Sequence, residues 1–144
     1  MQAAAVLAGG EALVGMLGKD VLAHAISDTT RKIFALMDDH EHLMERLDLR
    51  ARLETIEALM CDVEGLPQLP DSTAACLRAL HDIVDRMHRD MEALSQAVAY
   101  DATRYLNAWR YTSYGPLLLR MQEDSDVLAR RFDMLVKVMS IRLD

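Results

Sequence analysis

The chain is 144 residues long, 51% of them hydrophobic and 27% charged, and its formal net charge is −7. That length suits one domain around one core, and so apolar a composition excludes an intrinsically disordered chain. The acidic balance argues against a nucleic-acid binder, which needs clustered Lys and Arg for phosphates. Leu, Ala, Met, Arg, Asp and Glu dominate while β-branched residues are sparse, which favours helix.

Residues 1–18 stand apart. Glu11 is their only charged side chain, and Gly9, Gly10, Gly15 and Gly18 punctuate a run of Ala, Val and Leu. Small side chains permit close backbone packing, so Val6, Leu7, Leu13, Val14 and Leu17 are candidates for contact with a partner protein. A shallow membrane contact is the alternative. No basic n-region precedes the apolar stretch, so a secretory signal is not expected and an intracellular, cytoplasmic setting is. No stretch has the length of an ordinary transmembrane helix.

Residues 19–144 read as one helical-bundle domain. A first helix is predicted over about 19–47, where Ile26, Thr30, Ile33, Met37, His40, Met44 and Leu47 recur at 4-3 spacing. A second covers about 48–63, with Leu49, Leu53, Ile56, Met60 and Val63 on the same rhythm. The segment EGLPQLPD, 64–71, breaks it, because two prolines and a glycine cannot continue a helix. Asp71 or Ser72 can cap the next.

The third helix carries Leu77, Leu80, Val84, Met87, Met91, Leu94 and Val98 and runs on to Tyr105 and Ala108. At 1.5 Å per residue it is a rod of roughly 57 Å. Gly115-Pro116 marks a reversal. A fourth helix follows with Leu118, Met121, Ser125, Leu128, Phe132, Leu135 and Met139 in register, and its end, 132–141, is apolar nearly all round. Four amphipathic segments with short connections predict an all-α fold, an antiparallel four-helix bundle. Its third and fourth helices form a long C-terminal hairpin. No internal repeat stands out.

Five of the seven aromatic residues, Tyr100, Tyr105, Trp109, Tyr111 and Tyr114, cluster just before the reversal. Such a cluster caps the end of a bundle or forms a binding surface at its tip. Together with Phe132, Leu135, Val138 and Met139 on the last helix, Tyr105, Trp109, Tyr111 and Tyr114 are the candidate interface residues. Charge is uneven: residues 1–103 hold 9 basic and 18 acidic side chains, whereas 104–144 hold 7 and 5.

Chemistry finds little footing. Asp39-x-x-His42 and Asp85-x-x-His88 are two D-x-x-H pairs whose spacing puts each pair on one helix face. Di-iron bundles use Glu-x-x-His pairs with further glutamates, and here the apolar stripes pass through His40 and Met87 instead. Solvated faces are the preferred reading, with His81 and Asp85 as an i,i+4 pair. No metal or other cofactor is expected, although Asp39, His42, Asp85 and His88 are the metal candidates in reserve. No Ser or Cys sits in a Gly-flanked elbow, and the glycine-rich start lacks the Lys-Ser/Thr ending of a phosphate loop. Cys61 and Cys76 flank one predicted loop and read as free thiols in a reducing compartment.

Several motifs taken together resemble a known group. These are the Ala/Gly-rich start, LDLRARLETIEALM (47–60), the Pro-containing turn, YLNAWR (105–110) and LARRFDMLVKVM (128–139). The order resembles small uncharacterised helical proteins of large DNA viruses, which share a Trp-Arg corner and an Arg-Phe-Asp-hydrophobic final helix. That resemblance implies self-assembly, for instance within a virion. The layout and apolar start alone also resemble the four-helix bundles of cell-death executioners: fungal HeLo domains and the N-terminal bundle of the necroptotic pseudokinase. That would imply membrane-active oligomers. The reading is a non-enzymatic interaction protein acting through a homo-oligomer or another protein. The alternatives are a membrane-associating bundle and a metal-binding one.

Overall fold

A computed structural model of the protein describes the backbone of residues 18–40, 49–102 and 115–143, and the side chains of 18–40, 49–100 and 115–140. The described residues form four helices and no strand: α1 (Lys19–Asp39), α2 (Leu49–Glu64), α3 (Asp71–Ala102) and α4 (Gly115–Leu143). The predicted all-α bundle is the observed fold. The Ala/Gly-rich start and the aromatic corner from Tyr105 to Tyr114 lie outside the described residues.

The stripes read from the sequence are the core. Ile26, Thr30, Ile33 and Met37 of α1 are buried, as are Leu49, Leu53, Ile56, Met60 and Val63 of α2. α3 supplies Leu77, Leu80, Ile83, Val84, Met87, Met91 and Leu94. α4 supplies far less: Met121, Leu128 and Leu135, seven residues apart, are its buried apolar side chains. It meets the core along a narrow line.

Cross-helix bonds give the directions. Arg50 Nη2 reaches Asp38 at 2.6 Å and Lys19 Nζ reaches the Glu64 carbonyl at 2.8 Å, so α1 and α2 are antiparallel. Arg86 meets Asp124 and Arg131 Nη1 meets the Ala79 carbonyl at 2.8 Å, so α3 and α4 are antiparallel too. α3 packs closely on both α1 and α4, and α1 also packs on α2. The fourth seam, between α2 and α4, is sparse. The bundle is closed on three sides and slack on the fourth.

Two boundaries differ from expectation. α1 stops at Asp39 rather than near 47, because His40 takes φ −134°, ψ 40° and gives its N–H to the Met37 carbonyl at 3.0 Å. Asp38 and Asp39 place negative charge at the helix's negative end and no basic residue of its last turn offsets it. Arg50 supplies that charge from α2, with its guanidinium also 5.5 Å from the Phe34 ring centre. α3 starts one turn-position early: the Pro70 carbonyl accepts Ala74 N–H at 3.0 Å, so Asp71 already sits in the first turn. Before α1, Gly18 has φ +92°, a conformation that L side chains rarely adopt.

Candidate functional site

The slack seam holds an apolar groove of about 570 Å³. Leu59 and Asp62 of α2 form one wall, Val136, Met139 and Ser140 of α4 the other, and Leu66, Leu69 and Pro70 of the α2–α3 link close its end. Its walls arise from the helical period. With Leu135 turned fully inward, Val136 and Ser140 fall on the flank of α4 that faces α2. The contact between α2 and α4 is too sparse to cover them. Higher up the seam the two helices are joined by a long polar arm instead: Arg52 Nη1 donates to Ser125 Oγ at 3.2 Å and to the Ser125 carbonyl at 3.5 Å. Lys19 and the turn at Gly65 hold the link in place. Lys19 binds the last α2 carbonyl, and Gly65 N–H is shared between the carbonyls of Cys61 and Asp62 at 3.3 and 3.1 Å.

The predicted interface residues divide accordingly. Leu135 is 0% exposed and belongs to this chain's own core, so its proposed contact role is corrected: a side chain packed inside the bundle has no face left for a partner. Phe132 and Met139 are half-buried against that core, and Val138 is half-buried. The exposed apolar side chains of this stretch are Met134 and Val136, at 55% and 40%. Spacing on the helix sets them on opposite flanks, Val136 by the groove and Met134 beyond Val138. Tyr105, Trp109, Tyr111 and Tyr114, and Val6, Leu7, Leu13, Val14 and Leu17, lie outside the described residues.

The reserve metal candidates are not drawn together. Asp85 pairs with Arg89 at 3.4 Å and His88 with Glu92 at 3.2 Å, each one turn along α3. His81 approaches Asp82 at 3.8 Å rather than Asp85, which corrects the i,i+4 pairing expected for it. Asp39 is exposed at the end of α1, and His42 lies outside the described residues. Among the described residues no three His, Cys, Asp or Glu side chains converge as a metal site would require. His40 is half-buried, with Nε2 3.0 Å from Ser95 Oγ on α3. This is a structural tie between α1 and α3. Cys61 and Cys76 are free thiols, Cys61 exposed.

A second constellation escaped the sequence reading. Asp90 of α3 and Asp124 of α4 are buried at the α3–α4 interface, 8% and 1% exposed. Arg86 Nε holds Asp124 Oδ1 at 2.9 Å, and Arg120 Nη1 holds Asp90 Oδ1 at 3.4 Å. Burial pushes the Asp124 carboxyl up from 3.8 to about 7. The Asp90 carboxyl, within hydrogen-bonding reach, adds to the rise, and Arg86 opposes it. The signal was present as Arg-Met-x-x-Asp, which occurs twice: Arg86-Met87-x-x-Asp90 and Arg120-Met121-x-x-Asp124. Running antiparallel, the two copies exchange partners, each Arg reaching the other helix's Asp.

No family model matches the chain, and no solved structure matches it. The chain is similar to an uncharacterised protein of Acanthamoeba polyphaga mimivirus, 26% identical over 68 residues. The match takes in 47% of this chain and 33% of that protein, so the chain spans about a third of the relative's length. The relative comes from a large DNA virus, the group that the sequence resembles. Among the described residues no helix is long and apolar enough to cross a membrane.

Proposed function

We propose that this chain is a non-enzymatic helical interaction module. It binds a second copy of itself through the α2–α4 groove and serves as a structural part of a larger assembly, such as a virion. The observation that carries this reading is the apolar groove along the one seam the bundle leaves slack. Monomers rarely leave a sizeable apolar patch uncovered. A two-fold interface places the same groove of both copies face to face, so its apolar lining meets apolar lining. Val136 and Met139 on one side and Leu59, Leu66 and Leu69 on the other make that lining apolar. Only Asp62 brings charge into the groove, so the net charge of −7 is carried away from the contact. The likeness to a large-virus protein supports an assembly role.

Sedimentation of the full chain tests the reading. A dimer or larger species is expected, and Val136→Glu should reduce it to a monomer with unchanged helicity, because Val136 is exposed and its loss leaves no cavity. A wild-type monomer at high concentration, or an undisturbed Val136→Glu oligomer, defeats the proposal.

A further inference from the structure

The Arg86–Asp124 and Arg120–Asp90 cluster has no part in the groove, yet it is the largest buried charge feature in the described bundle. Its geometry is incomplete in one respect. The two arginines each occupy an Oδ1 atom, while Asp90 Oδ2 and Asp124 Oδ2 are both buried and have no donor among the described residues. Buried acceptors without partners are rare, and each costs free energy. Two carboxylates cannot satisfy one another, because both only accept. One proton between them satisfies both.

We propose that Asp90 and Asp124 share a single proton between their inward oxygens, and that this proton is a pH-sensitive latch joining α3 to α4. With the proton bound, one acid donates to one carboxylate, and the single remaining negative charge lies between the two guanidiniums. When the proton leaves to solvent, two buried carboxylates face each other with both orphan oxygens restored, and α3 and α4 are pushed apart. The proton belongs to the pair rather than to either residue.

The surrounding groups do not supply another donor. On α3, Arg89 is turned outward to Asp85, and on α4, Gln122 bonds Asp126 at 3.4 Å on the exposed face. From α2, Arg52 comes as near as Ser125, but its guanidinium is used on the Ser125 hydroxyl and carbonyl. From α1, Arg31 goes to Glu57 at 2.9 Å and His40 to Ser95. The elevated position of the Asp124 titration, about 7, agrees with a proton held in this way. The sign follows. The folded chain binds this proton more tightly than the unfolded chain, so its contribution is complete below the ordinary carboxylate range and is lost as pH rises towards 7.

Thermal unfolding of the full chain between pH 5 and 8.5 provides the test, on wild type and on Asp124→Asn and Asp90→Asn. An amide supplies a permanent N–H to the facing carboxylate and cannot titrate. The wild-type midpoint should fall by roughly 5 °C across this range relative to either variant, whose profiles lack the step. The other ionisable side chains are common to all three proteins and drop out of the difference. Parallel profiles overturn the latch. Should the variants fail to fold, the side-chain carboxyl 13C resonances of wild type decide the matter. One aspartate titrating near 7 supports the latch, whereas all aspartates titrating below pH 5 refute it.

Discussion

At the scale of single residues, the bundle's polar interior works by assigning each buried charge a long-armed partner that stays half in water. Arg86 is the clearest instance: its side chain is 48% exposed while the Asp124 it holds is 1% exposed. The guanidinium keeps its hydration and still neutralises a desolvated carboxylate. Arg86→Met keeps the apolar stem and removes the charge. At pH 5 the Asp90–Asp124 pair keeps its proton with or without Arg86, so only a hydrogen bond is lost, about 1 kcal/mol. At pH 8 the wild type can ionise Asp124 against Arg86, whereas the variant must hold its proton or bury an unpaired charge. The loss should grow to about 3 kcal/mol. Chemical denaturation at the two pH values measures it, and an equal loss at both would show that Arg86 does not govern Asp124. Arg131 works differently. It anchors α4 through the Ala79 carbonyl, which gives the Arg131-Phe132-Asp133 motif a packing role within the chain.

At the scale of elements, α3 is the pillar, packed closely on α1 and α4, while α2 and α4 barely meet. α3 buries residues on two faces, Leu80, Val84, Met87, Met91 and Leu94 among them. Leu94 is 0% exposed, so Leu94→Ala should cost roughly 2–5 kcal/mol through lost transfer energy and a cavity. Unchanged denaturant stability would mean that the stripe does not close on this core. The stripes were legible in the sequence because helical burial imposes a period of 3.6: the stripe residues named from Ile26 to Met37, on α2 and from Leu77 to Leu94 are buried, His40 is half-buried, and Met44 and Leu47 lie outside the described residues. Three things were not legible. The end of α1 at Asp39 depends on a clash between acidic side chains and the helix dipole, and on Arg50 arriving from another helix. The slackness of the α2–α4 seam depends on how four helices share one core, which no single helix encodes. The burial of Asp90 and Asp124 contradicts their residue type. Only the repeated Arg-Met-x-x-Asp spacing hinted that the two could answer one another across an antiparallel pair.

At the scale of the whole molecule, the described core is built from side chains of α1 to α4. Leu22, Ala23 and Ile26 begin the buried set, and α1 starts immediately after Gly18, whose positive φ turns the chain at that point. The entry to α1 is secured locally, by Leu22 N–H on the Gly18 carbonyl at 3.5 Å and by Lys19 on the end of α2. None of these ties needs residues 1–17. Those residues are apolar enough to prefer contact over water, yet their Ala and Gly side chains bury little area each, so their expected contribution to stability is small. A protein beginning at Gly18 should therefore keep its helicity and unfold within a few degrees of the full chain. If the segment serves association, the shortened protein should sediment as a smaller species at the same concentration. If it serves a lipid surface, flotation with liposomes should be lost on shortening while sedimentation stays the same. Collapse of the shortened chain would place residues 1–17 in the core and remove both roles. Circular dichroism and sedimentation on the two proteins, measured side by side, separate these outcomes.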